Sequence, residues 1–266
     1  MNKVILITGA SSGIGKVTAE YLSALGYAVY GTSRNPADQK ANFTLLPMDV
    51  CVPDSIAKAV ERILEEQGRI DVLVNNAGMG ITGPLEDTPT NEMKRVFDTN
   101  FFGPIEVMKA VLPTMRSQKQ GLIINITSIA GYMGLPFRGV YSATKGALEL
   151  ITESVRMEVK GFGIRVTNIA PGDFATNIAT GRYHAPVLKN SAYREAYEKS
   201  LALMDSHVDQ GGDPVIMAKK IHAVIQESSP RVRYKVGAFM QKFSVVLKRL
   251  LPSKVYERLL MNHYKL

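Results

Sequence analysis

The chain has 266 residues, 45% of them apolar, and a formal net charge of +8. It is long for one domain, yet α/β folds reach this size as one unit, and its apolar share suits a globular protein with a sizeable core. A single cysteine, Cys51, excludes an intramolecular disulfide and a cysteine-based metal cluster and suits a reducing compartment; no stretch approaches the ~18 apolar residues of a membrane span, so the expected location is cytoplasmic.

Residues 3–8 (KVILIT) are a short apolar run leading into a Gly/Ser turn, which reads as a first strand rather than a signal peptide. Residues 14–25 place Ile14, Val17, Ala19, Tyr21, Leu22 and Leu25 at helical spacing. Strands follow at 27–33 (YAVYGTS) and 43–49 (FTLLPMD), then a helix over 53–67 with Ile56, Val60, Ile63 and Leu64. Residues 70–76 (IDVLVNN) read as a buried strand, 91–117 as helix, 121–128 (GLIINITS) as strand, and 140–160 as helix. The series closes with a strand at 164–171 (IRVTNIAP), a helix at 213–228 and a strand at 231–237 (RVRYKVG). Strands separated by helices predict βαβ units. The expected fold is α/β, a Rossmann-type doubly wound parallel sheet in a single domain over 1–238, with a C-terminal helical extension of the same domain over 239–266. Residues 173–212 are too long for an ordinary connection and mark a substrate lid.

The charge is uneven. Residues 231–266 hold nine Lys/Arg and one acid, Glu257, so residues 1–230 are neutral overall and give no reason to expect nucleic acid. Within the tail, Phe239, Phe243, Val246, Leu247 and Leu250 recur at helical spacing, and Val255, Tyr256, Leu259 and Leu260 follow Pro252. One reading is two amphipathic helices that pack their apolar sides on the body and leave a basic face in solvent. The other is a weak peripheral membrane contact.

Three stretches carry chemistry. Gly9, Gly13 and Gly15 stand in TGASSGIG, with GxxxGxG spacing, between a strand and a helix, where glycines admit a pyrophosphate to the helix N-terminus; a structural turn is the alternative. Asn75-Asn76-Ala77-Gly78 follows the fourth strand, at the sheet edge where a dinucleotide lies; a plain polar turn is the alternative. In YSATK, Tyr141 and Lys145 share one helix face. A free phenol has a pKa of about 10, and a cation one turn away favours phenolate, so the pair is either a tuned acid/base or a surface Tyr with a solvated Lys. Ser128 ends the strand before them. His184, His207, His222 and His263 show no ligand spacing, and no metal is expected.

With these elements in order, the sequence over about residues 1–172 closely resembles the short-chain dehydrogenase/reductase family, through TGASSGIG, Asp49, NNAG, Asn100, Ser128, YSATK and Pro171-Gly172. The resemblance implies catalytic residues Asn100, Ser128, Tyr141 and Lys145. Tyr141 would be the acid in ketone reduction and the base in alcohol oxidation, and Ser128 would hold the reacting oxygen. Lys145 would lower the Tyr141 pKa and hold the nicotinamide ribose, and Asn100 would hold a water linking Lys145 to solvent. It also implies a nicotinamide cofactor held by Thr8, Gly9, Ser11, Ser12, Gly13, Ile14, Gly15, Ser33, Arg34, Asp49, Val50, Asn76, Ala77, Gly78, Tyr141, Lys145, Pro171, Gly172, Phe174 and Thr176. Ser33 stands where an NAD enzyme has its acid, and Arg34 follows, so NADP is expected ahead of NAD, unless Arg34 only stacks on adenine.

Met133, Leu135, Pro136 and Phe137, with Phe174, Ile178, Tyr183, Val187, Leu188, Tyr193 and Tyr197 of the lid, predict an apolar cleft. The lid and tail resemble, more weakly, the branch that holds retinol and 17β-hydroxysteroid dehydrogenases. The implied substrate is a bulky apolar alcohol or ketone: a steroid, a retinoid or a long-chain keto-lipid. The family also implies a homodimer or homotetramer through the helices at 91–117 and 141–160. An inactive nucleotide-binding regulator and a peripheral membrane protein are the alternatives from other classes.

Overall fold

Residues 4–7 are buried along their whole length, as a parallel strand covered on both faces must be. In the computed structural model, which describes residues 2–36, 41–175, 181–209 and 211–266 and only the backbone of 205–209, they form β1 (Val4–Ile7). α1 (Gly13–Ala24) leads to β2 (Ala28–Ser33), which pairs with β3 (Thr44–Pro47). α2 (Pro53–Gln67) begins on proline, which needs no N–H there, and closes at Gly68, whose φ of 68° favours glycine. β4 (Val72–Asn75), β5 (Ile81–Thr82), α3 (Thr90–Phe97) and α4 (Gly103–Ser117) follow. Then come β6 (Gly121–Ile126), α5 (Gly139–Glu158), β7 (Ile164–Pro171) and β8 (Tyr183–His184). α6 (Arg194–Asp209), α7 (Val215–Gln226), β9 (Arg233–Val236), α8 (Phe239–Leu250) and α9 (Ser253–Tyr264) complete the order.

The seven-stranded sheet runs β3-β2-β1-β4-β6-β7-β9 with every pair parallel. This is the doubly wound sheet expected, and its order reverses between β1 and β4, where a crevice opens beyond the strand ends. Successive side chains alternate between faces. Leu6, Leu73, Ile123 and Val166 cluster with α2 and α4. Ile5, Ile7, Val74, Leu122 and Ile124 cluster with α1 and α7.

Three segments differ from expectation. The helix over 91–117 is interrupted by a π-helical turn at 98–102 that contains Asn100; such turns widen the helix and re-aim side chains. Residues 173–212 hold β8 and the 16-residue α6. Tyr197, Ser200 and Met204 form the buried stripe of α6, too thin and too polar to show as a helical pattern.

The third difference is the tail. α8 and α9 are two helices broken at Pro252, as expected, but α8 docks the other way round. Val245 is buried against Ile129, Met133 and Ala170, together with Tyr256 of α9. Phe239, Phe243, Val246 and Leu250, which one of the two readings puts against the body, lie on the exposed side, as do Val255 and Leu259 of α9; only Leu247, Tyr256 and Leu260 of those residues pack inward. The reason is the neighbour: Gln241 on the inner side donates to the Asp173 carboxylate at 2.7 Å and accepts from the Asp173 N–H at 3.3 Å. Among the described residues no helix is long and apolar enough to cross a membrane.

Candidate active site

The glycine turn joins two strand ends. The Thr8 hydroxyl, just past β1, accepts from the N–H groups of Asn76 and Ala77 just past β4, at 3.0 and 2.9 Å. Asn76 in turn donates to the carbonyls of Thr8 and Gly9. Gly9 has φ 66°, and a Cβ there would lie 2.9 Å from the Ala77 Cα. A Cβ on Gly15 would run into the Gly9 carbonyl and the Asn76 side chain. Only glycine lets the N-terminus of α1 sit this close to the switch point.

Beyond that turn lies a cleft of about 740 Å³. Gly9, Ser11, Ser12, Gly13, Ile14, Ser33, Arg34, Asp49, Val50, Asn76, Ala77 and Gly78 line it, all expected from sequence. Thr8 and Gly15 shape it from beneath. Thr32, Asn35, Met48, Cys51, Met79, Arg95, Thr99 and Gly181 also line it and were not foreseen. The residues fit a dinucleotide: a helix N-terminus faces a cradle that a Cβ would fill, and β2 ends in Ser33 and an exposed Arg34 without a carboxylate. The one acid there, Asp49, accepts from the N–H of Cys51 at 2.9 Å.

Ser128, Tyr141, Lys145 and Asn100 are all buried. Ser128 follows β6 in extended conformation, and its Oγ accepts from the Ala130 N–H at 3.1 Å. That bond uses a lone pair and leaves the hydroxyl proton to donate. Tyr141 and Lys145 lie one turn apart in the first turns of α5, with Nζ 6.0 Å from the phenol ring centroid. Nζ donates to the Ile126 carbonyl at 3.0 Å, and burial pushes the Lys145 ammonium down to about 8. Asn100 donates to the Met79 carbonyl and accepts from the Met79 N–H, both at 2.8 Å, and donates to Thr144 at 3.2 Å. Asn100 Oδ1 and Lys145 Nζ both border Gly78, at 3.2 and 3.5 Å from where its Cβ would stand.

A contact not foreseen fixes Ser128 relative to Lys145. Gly131, in the turn after Ser128, lies so close to α5 that its Cβ would be 2.9 Å from the Lys145 carbonyl carbon and 3.0 Å from the Gly146 nitrogen. Behind the site, Asn75, Asn125 and Asn168 lie in register across β4, β6 and β7. Asn75 donates to Asn125 at 2.9 Å, and Asn125 to Thr152 of α5 at 2.8 Å. Asn168 reaches Glu149, one turn below Lys145, at 3.1 Å. Glu149 also accepts from Thr127 and Tyr132, and faces Arg233 at 3.3 Å. Burial raises its carboxyl pKa, against the effect of those partners.

In front of Ser128 and Tyr141 is a cavity of about 70 Å³. Ile14, Ile81, Pro171, Gly172 and Phe174 line it, but so do Arg138, Asp173 and Arg182. Arg138 also sits over the Tyr141 ring at 5.4 Å. The apolar wall expected from sequence is elsewhere in part: Met133 is core beneath α8, and Leu135 packs beside it. Phe137 packs on Tyr197, whose hydroxyl donates to the Thr82 carbonyl. Tyr183 is half-buried in β8, while Val187, Leu188 and Tyr193 are exposed. Thr176 and Ile178 lie outside the described residues.

A family model described as short chain dehydrogenase matches residues 3–186. The chain is 41% identical over 263 residues to a 3-ketodihydrosphingosine reductase of Bacteroides thetaiotaomicron, covering 98% of each. It is 39% identical over 188 residues to retinol dehydrogenase 8 of Homo sapiens, covering 65% of this chain and 60% of that one. Among solved structures, ElxO with NADP bound is similar at a TM-score of 0.72 and 28% identity, covering 89% of this chain and 97% of the other.

Proposed function

The chain belongs to the short-chain dehydrogenase family of NAD(P)-dependent oxidoreductases, and on that premise we propose that it interconverts a ketone and an alcohol on a long-chain keto-lipid. The observation that carries the reading is the convergence of Ser128 and Tyr141 on one small cavity beside the dinucleotide cleft, with the buried Lys145 one turn from Tyr141 and its Nζ 6.0 Å from the phenol ring centroid. When bound, the nicotinamide supplies or takes up the hydride. The Ser128 hydroxyl donates to the ketone oxygen and stabilises the negative charge that develops there. Tyr141 delivers the proton to that oxygen. Lys145, its Nζ held by the Ile126 carbonyl, stands one turn from Tyr141, and burial lowers its ammonium pKa to about 8. Asn100 holds the backbone of Met79 beside Lys145 and the water that joins it to solvent.

NADP is preferred over NAD. A 2′-phosphate would meet Arg34 and no carboxylate at Ser33. Pro171, Gly172 and Phe174, which line the cavity, would border the nicotinamide.

The identity to a 3-ketodihydrosphingosine reductase, over nearly the whole of both chains, favours a keto-lipid over a steroid or retinoid. The polar end of such a substrate would meet Arg138, Asp173 and Arg182 in the cavity. Exposed Phe102, Leu150, Met157 and Phe162, on or beside the helices at 91–117 and 141–160, supply the apolar face for a homodimer.

The test is a dinucleotide-consumption assay with 3-ketodihydrosphingosine, retinal and a 17-ketosteroid as alternative substrates. The keto-lipid should be turned over fastest, with NADPH ahead of NADH. Absence of turnover with all three would favour the inactive-regulator reading.

A further inference from the structure

The outer surface of the tail has no part in that chemistry. α8 turns Phe239, Phe243, Val246 and Leu250 outward as one stripe, and the Phe239 and Phe243 rings stack at 5.7 Å. Phe239 is 71% exposed and Leu250 75%, well beyond an incidental surface residue. Arg249, Lys254 and Arg258 are exposed on the same two helices, as is Lys248, whose Nζ reaches over the buried Tyr256 ring at 5.1 Å. Between α8 and the outer edge of the sheet at β9, Arg231, Arg233, Lys235 and Arg249 border a cavity of about 540 Å³. Its one carboxylate, Glu153, is engaged by Arg233.

We propose that this face docks on an anionic lipid bilayer. The α8 stripe enters the boundary between headgroups and acyl chains, the flanking cations hold phosphates, and the cavity beside β9 takes one phosphate headgroup. A second copy is a poor occupant. A twofold contact sets a patch against itself, and here it would oppose cations to cations. A separate exposed apolar surface lies around Leu150 and Met157. Placement supports the bilayer too. The N-terminal end of α8 borders an opening lined by Asp173, Phe174, Ile216, Ala238 and Gln241, and Asp173 and Phe174 also line the catalytic cavity. Docking through the stripe brings this opening to the lipid. The docking rests on the tail alone; only the delivery of substrate rests on the keto-lipid reading.

The test is co-sedimentation of the full chain with phosphatidylcholine vesicles, with and without phosphatidylglycerol. Truncation is unsuitable, because Gln241 and Tyr256 brace the site from behind. The wild type should sediment with the anionic vesicles at low salt and not with phosphatidylcholine alone, and high salt should release it. Phe239→Ser, Phe243→Ser and Leu250→Ser together should weaken binding at least about tenfold. Lys235→Gln and Arg249→Gln should each weaken it about fivefold. All variants should keep the turnover of a water-soluble ketone. The proposal is overturned if the wild type does not bind anionic vesicles at low salt, or if the triple variant binds as well as the wild type. It is also overturned if the triple variant only lowers the mass on size exclusion, which would mark a contact between copies. Displacement by inorganic phosphate at matched ionic strength would mark a free-anion site and overturn it equally. A failed keto-lipid assay would leave these readouts unmoved.

Discussion

At the carboxyl edge of the sheet the backbone leaves its side chains no choice of direction. Gly131 presses on Lys145 and Gly146, Thr8 ties β1 to β4, and Ser128 is held by Ala130. In the C-terminal helix pair the same kind of periodic signal allowed two solutions. α8 carries apolar residues on both sides, Val245 with Leu247 and Leu251 on one, Phe239, Phe243, Val246 and Leu250 on the other. Periodicity names stripes, and the surface offered by the body decides which one is buried. Where chemistry demands particular side chains at close spacing, sequence and structure agree; where only burial decides, packing partners distant in sequence have the final say.

Five substitutions would break or sharpen that contrast. The largest effect is on the edge. Burial holds the Lys145 pKa at about 8 in the folded chain against 10.5 for the free group. Between those values the unfolded chain binds a proton that the folded chain does not, so this group makes stability rise with pH through the window. Lys145→Met in the cofactor-free protein should remove on the order of 3 kcal/mol of that rise, read from urea unfolding at pH 7 and pH 10. Equal slopes for wild type and variant would mean the ammonium is not desolvated.

Next, Gly131→Val should cost about 2 kcal/mol of stability and lower kcat at least about a hundredfold, because its side chain must push the Ser128 turn away from α5. Unaltered kcat would show that the close approach does not position the site. Arg34→Asp should erase or invert the preference for NADPH, a change of about tenfold or more in the ratio of kcat/KM values. The smallest effects belong to the tail. Leu250→Ser should change stability by less than about 0.5 kcal/mol, whereas Val245→Ala should cost about 1–3 kcal/mol. The reverse ranking would restore the orientation that periodicity alone proposes.

The legible parts of the site are the short ones. TGASSGIG, NNAG and YSATK each hold their telling residues within a few consecutive positions, so a local reading finds them, although Thr8 meets Asn76 and Ala77, and Thr144 meets Asn100, only across the fold. The row that Asn75 makes with Asn125 and Asn168 was not legible, because it exists only once β4, β6 and β7 pair in register. Arg138 and Arg182 arrive at the cavity from separate loops, and nothing in FRGVY or GRYHA marks either as a neighbour of Ser128. Met133 shows the opposite error: it stands beside Ser128 in sequence, yet α8 and α9 claim it, and the Tyr256 hydroxyl contacts its sulfur at 2.7 Å.

The most direct measurement follows deuterium from NADPH dideuterated at nicotinamide C4 into 3-ketodihydrosphingosine. The wild type should place one deuterium on the new carbinol carbon. Tyr141→Phe, with NADPH affinity within a few-fold of wild type, should do so about a thousandfold more slowly, since only the phenolic proton has been removed. Transfer by Tyr141→Phe within about tenfold of the wild-type rate would contradict proton delivery by Tyr141.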